Sequence, residues 1–137
     1  MSRTADGFTL VEVMVATSVL TVGVVALVQL AILAQAAGRA AARMTVAAVL
    51  AQDKMEQLRA QEWPAASAGC CDYFDAHGGL LGSGASPPVG TAFTRRWAID
   101  AAQVFPEAAR VLRVWVAPAA GATAPVRLVS VRARRIG

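Results

Sequence analysis

"GFTLVEVMVA", Gly7 to Ala16, decides how this chain is read. The stretch is almost wholly apolar, yet it carries one carboxylate, Glu12. That residue is the only charge between Gly7 and Arg39, and none at all lies from Val13 to Gly38. At about 1.5 Å per residue, such a run makes a helix of roughly 39 Å, longer than a hydrocarbon core of about 30 Å. A carboxylate at membrane depth costs about 2.5–3.5 kcal/mol on insertion scales, so it normally marks a partner or a function. The plainer alternative is that Glu12 lies near enough to the helix start to reach the interface. A helix N-terminus also favours negative charge.

A secretory signal peptide does not account for the pattern. Its apolar core would span about 7–15 residues and end at a small-residue cleavage site. Here the start, "MSRTADG", is polar, with Arg3 partly offset by Asp6, and no break follows the apolar run. The segment therefore reads as a retained membrane helix. Arg39 and Arg43 beyond it outweigh Arg3 before it, so the positive-inside rule alone does not favour a cytoplasmic N-terminus.

"G-F-T-L-V-E", Gly7 to Glu12, resembles the signal of type IV prepilins and pseudopilins. The resemblance rests on a short polar leader, a Gly, a Phe after it, a Glu five residues beyond the Gly, and a long apolar run. It implies a leader at 1–7, cleavage between Gly7 and Phe8 by a prepilin peptidase, and N-methylation of Phe8. It also implies that Glu12 docks with the N-terminal amine of a neighbouring subunit. Physically, Gly7 offers a bare backbone to a protease cleft. Two charges that are costly alone in an apolar setting select register by meeting. The leader departs from the pattern in its weak basic character.

From Arg39 to Trp63 the pattern becomes amphipathic. Met44, Ala47, Ala48, Ala51, Met55 and Leu58 recur at three- and four-residue steps, with Thr45, Gln52, Asp53, Glu56 and Arg59 mostly elsewhere. Glu56 and Arg59 can pair at i,i+3. Pro64 then ends the helix and biases Trp63 toward extended geometry. "GFTLVEVMVATSVLTVGVVAL" together with "LAQDKMEQLRA" is similar to the PilV-type minor pilins and the I-type minor pseudopilins. The membrane run lacks the proline that major pilins often carry.

Ser67 to Gly90, rich in Gly, Ser, Ala and Pro, reads as a long loop. It holds adjacent cysteines, Cys70 and Cys71, for which a strained bridge, a bond to another chain and free thiols all remain open. His77, the one histidine, reads as a surface loop residue. Three strands are expected, at Ala92–Asp100, Arg110–Ala117 and Val126–Arg134, forming an antiparallel sheet with one face on the helix. The first puts Phe93, Trp97 and Ile99 on one face, and the second Leu112, Val114 and Val116. In the third, Val129 and Val131 share a face while Leu128 breaks the alternation. "APAAGATAP", Ala117 to Pro125, is a candidate hairpin connection.

The expected fold is therefore α+β and pilin-like: a long N-terminal helix, half membrane and half amphipathic, packed on a small antiparallel sheet. Its parts are a leader at 1–7, a transmembrane or filament-core helix at 8–38, an amphipathic helix at 39–63, and a loop-rich β domain at 64–137. The resemblance implies a minor pilin taking part in type IV pilus assembly and priming. The alternatives are a minor pseudopilin of type II secretion, or a pilus-tip module for DNA or anionic surfaces. The implied partners are other pilins, prepilin peptidase, an inner-membrane assembly platform and membrane lipid. The implied location is the bacterial inner membrane, single-pass, with the C-terminal domain in the periplasm, and the pilus or pseudopilus after assembly. The net charge is +4, and Arg95, Arg96, Arg110, Arg113, Arg127, Arg132, Arg134 and Arg135 crowd the last third. With Trp97 and Trp115 they raise nucleic acid as a further partner, weighed against a solvated strand face. The sequence holds no nucleophile elbow, triad, P-loop or Cys/His ligand spacing, so no enzyme, cofactor or metal site is expected.

Overall fold

The structure, a computed structural model, describes residues 7–119 and 124–134, with the Cys70 side chain excepted. One α-helix, α1 (Leu10–Ala60), is followed by five strands: β1 (Ser67–Phe74), β2 (Leu80–Ser83), β3 (Phe93–Ala101), β4 (Ala109–Pro118) and β5 (Val126–Ala133). The chain divides into two compact units, Met1–Arg39 and Ala40–Gly137.

In the first unit the helix is apolar on every side. From Val13 to Leu33 its large aliphatic side chains are all more than half exposed. The hydroxyls within this run are not left bare. Thr17 donates to the Val13 carbonyl, Ser18 to Met14 at 2.8 Å, and Thr21 to Thr17. Each is a bond to the carbonyl four residues back, so these polar atoms are satisfied without water. A helix that is apolar all round, with its hydroxyls paired internally, suits lipid or a bundle of like helices.

In the second unit the strands form one antiparallel sheet in the order β2-β1-β3-β4-β5. The helix lays Ala47, Leu50, Ala51, Met55 and Leu58 on its inner face, against Phe74, Phe93, Ile99, Leu112, Val114 and Val116. Leu50, Met55 and Leu58 each contribute about 1.5–3 kcal/mol by leaving water. Of the expected stripe, Ala47, Ala51, Met55 and Leu58 are in the core, Met44 is exposed and Ala48 only half-buried, while Leu50 joins it.

Three expectations need correction. First, α1 ends at Ala60 rather than running to Trp63. Residues 61–63 form a bend, held by arginines from the sheet: Arg132 donates to the Gln61 carbonyl and Arg110 Nε to the Pro64 carbonyl at 3.3 Å. These bonds give partners to two carbonyls just beyond the helix, in the segment that leads into β1.

Second, the stretch read as one loop from Ser67 to Gly90 contains β1 and β2. β1 hides because a bulge lies between Cys70 and Asp72, which breaks the period-two alternation. Its inward residues on either side of the bulge, Gly69 and Asp72, are also not apolar. A Cβ at Gly69 would fall 2.0 Å from the Trp97 indole, so the missing side chain is the space that the ring fills. The β1–β2 connection is tight. Asp75 Oδ1 accepts from the backbone N–H groups of His77 and Gly79, both at 2.8 Å, and Gly78 takes a φ of 88°. These bonds hold the Asp75 carboxyl below its ordinary pKa of 3.8, the Gly79 N–H contributing most. His77 is exposed in this turn, as expected of a surface residue.

Third, Leu128 does not break the alternation of β5: it packs toward the core with Val126, while Val129 and Val131 share a face as expected, the outer one, 58% and 66% exposed. The inner face of β5 continues as Ser130 and Arg132 because it lies against the polar helix end. There Ser130 Oγ accepts from Arg59 at 2.9 Å. The middle of the Ala117–Pro125 connection lies outside the described residues.

Candidate processing and docking site

The helix start is built locally by Thr9. Its hydroxyl accepts from the Glu12 N–H at 3.3 Å, and its carbonyl accepts from the Val13 N–H at 3.2 Å. Thr9 is thus the N-cap and Glu12 the third helical residue, the T-x-x-E spacing of a capping box. This spacing is visible in the sequence and gives Glu12 a local role: a carboxylate in the first turn complements the positive end of the helix dipole.

Gly7, Phe8 and Glu12 are all exposed, and Phe8 stands 82% uncovered. Nothing lies within 4 Å of where a Cβ on Gly7 would sit. Phe8 and Glu12 share one side of the helix with Val13, Ala16, Thr17 and Leu20 around a shallow depression. The segment therefore presents a bare glycine backbone, an uncovered aromatic and an unburied acid in succession. The greater part of the expected leader, Met1 to Asp6, lies outside the described residues.

Cys71 is buried in the bulge of β1 and is not a free thiol. The Cys70 side chain lies outside the described residues, so the question of their pairing falls there too. Among the described residues, no group of His, Cys, Asp and Glu is placed to hold a metal ion.

A second polar cluster, unforeseen in the sequence, fixes the domain to the helix. Arg95 is 5% exposed on the inner face of β3. Its Nε and Nη2 donate to Asp72 Oδ2 at 3.1 and 2.8 Å, and its Nη1 donates to the Leu50 carbonyl at 3.0 Å and Asp53 Oδ2 at 3.3 Å. Ser83 donates to the other Asp72 oxygen at 2.8 Å. Lys54 lies 4.0 Å from Asp72 and 3.7 Å above the Trp97 ring. Every charge in the cluster has a partner, which is the condition for burying it at all.

Four of the eight arginines of the last third have partners within the domain. Arg95 is internal, Arg110 and Arg132 hold the helix end, and Arg113 pairs with Asp100 at 3.2 Å. Trp97 lies inside, between Lys54 and Gly69, and not beside Trp115 on a shared surface.

The fold is thus of the pilin-like α+β kind, with an exposed apolar helix and a small antiparallel sheet. Residues 2–28 match the prokaryotic N-terminal methylation motif, which indicates processing of the type IV pilin or pseudopilin type. Neither a curated protein nor a solved structure matches the chain.

Proposed function

We propose that this protein is a minor subunit of a type IV pilus, cut between Gly7 and Phe8, methylated on Phe8, and built into the filament base or tip through its apolar helix. The observation that carries the reading is the uncovered helix between Phe8 and Leu33, coupled to the methylation motif over residues 2–28. A helix with every face apolar needs other helices or lipid around it, and a subunit that moves from membrane to filament meets both in turn.

Cleavage gives Glu12 its second role. The new amine on Phe8 would lie just before the N-cap, at the positive end of the helix dipole, where a cation is disfavoured. A neighbouring subunit's Glu12 offers that amine a partner in an otherwise apolar setting, and the pairing fixes the stagger between helices. The domain would then stand outside the helical core, held by the Arg95–Asp72 cluster. The absence of proline from the membrane run supports a minor over a major subunit. A minor pseudopilin of type II secretion is the second reading, favoured by the same residues.

The test is fractionation of cells that assemble pili. The mature chain should appear in sheared surface filaments at low stoichiometry and remain in the membrane when the assembly motor is inactive. Its presence only in the membrane of motor-competent cells refutes the pilus reading.

A further inference from the structure

At the end of the helix remote from residue 40, two arginines flank one indole and a third lines the cleft beside it. Arg110 stands with its guanidinium carbon 5.1 Å from the Trp63 ring centroid and Arg134 with its own at 5.8 Å. The two are therefore at most about 11 Å apart, close to one screening length at about 0.1 M salt. Arg132, Arg134, Ala133 and Trp63 line a cleft of about 510 Å³ beside them.

Capping explains part of this charge. Arg110 and Arg132 satisfy the Pro64 and Gln61 carbonyls, and a helix C-terminus offers about half a negative charge. That leaves roughly two positive charges in excess. Glu62 and Glu107 are exposed nearby in sequence, but neither forms an ion pair with these arginines among the described residues. The Arg134 guanidinium meets the Trp63 ring and no hydrogen-bond acceptor among the described residues. Among the described residues Arg134 thus has no capping task and no acceptor for its guanidinium donors. Like charges gathered without an ion-paired acid repel one another, and an oxyanion with several acceptor oxygens offsets that repulsion.

We propose that the Trp63–Arg132–Arg134 cleft binds a phosphate-bearing anion. Guanidinium forks match phosphate oxygens in geometry as well as charge. Membrane lipid is a poor source of that phosphate: residues 40–60 put about 30 Å of helix between the cleft and the end of the apolar run. Free phosphate and the phosphodiesters of a polyanion share the required chemistry.

The test uses the full chain in non-ionic detergent with a fluorescein-labelled single-stranded oligonucleotide as the phosphodiester probe. Anisotropy should show binding that weakens with salt, with a log–log slope of about −2 for three phosphate contacts. Arg134→Gln should weaken it about tenfold, since a charge-assisted bond is lost, while its unfolding midpoint stays at the parent value. Arg96→Gln and Arg127→Gln, on the outer sheet face, should leave it within about twofold. Displacement by millimolar inorganic phosphate identifies the free anion as sufficient. Resistance to it, with loss in Arg134→Gln, identifies the polymer as the source. Absence of binding overturns the proposal, as does equal loss in the outer-face variants. Equal competition by polyglutamate also overturns it, in favour of an acidic protein segment.

Discussion

Replacing Arg95 by alanine tests how the sheet is held to the helix. Both members of the central pair are buried, Arg95 at 5% and Asp72 at 7% exposure. Truncation leaves Asp72 with Ser83 on one oxygen and only the more distant Lys54, 4.0 Å away, near the other. It also strips the Leu50 carbonyl of its arginine donor and removes the stack on Phe74, 4.7 Å from ring centroid to guanidinium carbon. Breaking a buried pair by deleting one partner costs about 3–5 kcal/mol. Lys54 can move toward Asp72, so the lower end, about 3 kcal/mol, is the expectation. For a domain of this size, about 1 kcal/mol shifts the midpoint by roughly 4–8 °C, so a fall of at least 12 °C is expected. The assay is thermal and urea unfolding of the full chain in detergent, followed by tryptophan fluorescence. The double variant Arg95→Met with Asp72→Leu should recover much of the loss, because it removes the stranded charge. A loss below about 1 kcal/mol for Arg95→Ala, or strictly additive losses in the double variant, would refute the reasoning.

Other perturbations follow from the same contacts. Gly69→Ala should destabilise by about 1–3 kcal/mol, because its Cβ meets the Trp97 indole; an unchanged urea midpoint would show that the ring moves freely. Asp75 has a folded pKa held below 3.8, so its contribution is present above 3.8 and fades as pH falls through the lower folded value; NMR titration of its carboxyl and of the His77 and Gly79 amides should show one shared midpoint below 3.8. Glu12→Ala should still be cleaved after Gly7 but enter sheared filaments at a small fraction of the parent level; normal incorporation would end its docking role.

Much of this was legible in the sequence where one physical signal dominated. The uncharged run from Val13 to Gly38 and the stripe from Ala47 to Leu58 follow from hydrophobic patterning alone. β4 alternates cleanly, with Leu112, Val114 and Val116 buried on one face. Legibility failed where polar partners replaced apolar ones. β1 carries Gly69 and Asp72 inward, and neither reads as core until Trp97 and Arg95 are placed opposite them. Arg95 itself counted as one more surface base, since nothing local marks a buried arginine whose partners are Leu50, Asp53 and Asp72. In β5 the inner face serves the helix end with Ser130 and Arg132 and leaves valines outside, so apolar residues alone do not mark which face is the inner one. At the candidate site, the spacing of Gly7, Phe8 and Glu12 is legible in the sequence, and so is the T-x-x-E spacing that makes Thr9 the N-cap.

The central claim is that Gly7–Phe8 is a processing junction and that Glu12 serves the chain made there. Intact-mass and N-terminal peptide analysis of the protein from cells with and without prepilin peptidase tests it most directly. The account predicts a chain beginning at N-methylated Phe8 in the first and the uncut chain in the second. A chain left uncut, or cut at another bond, in peptidase-competent cells would contradict it.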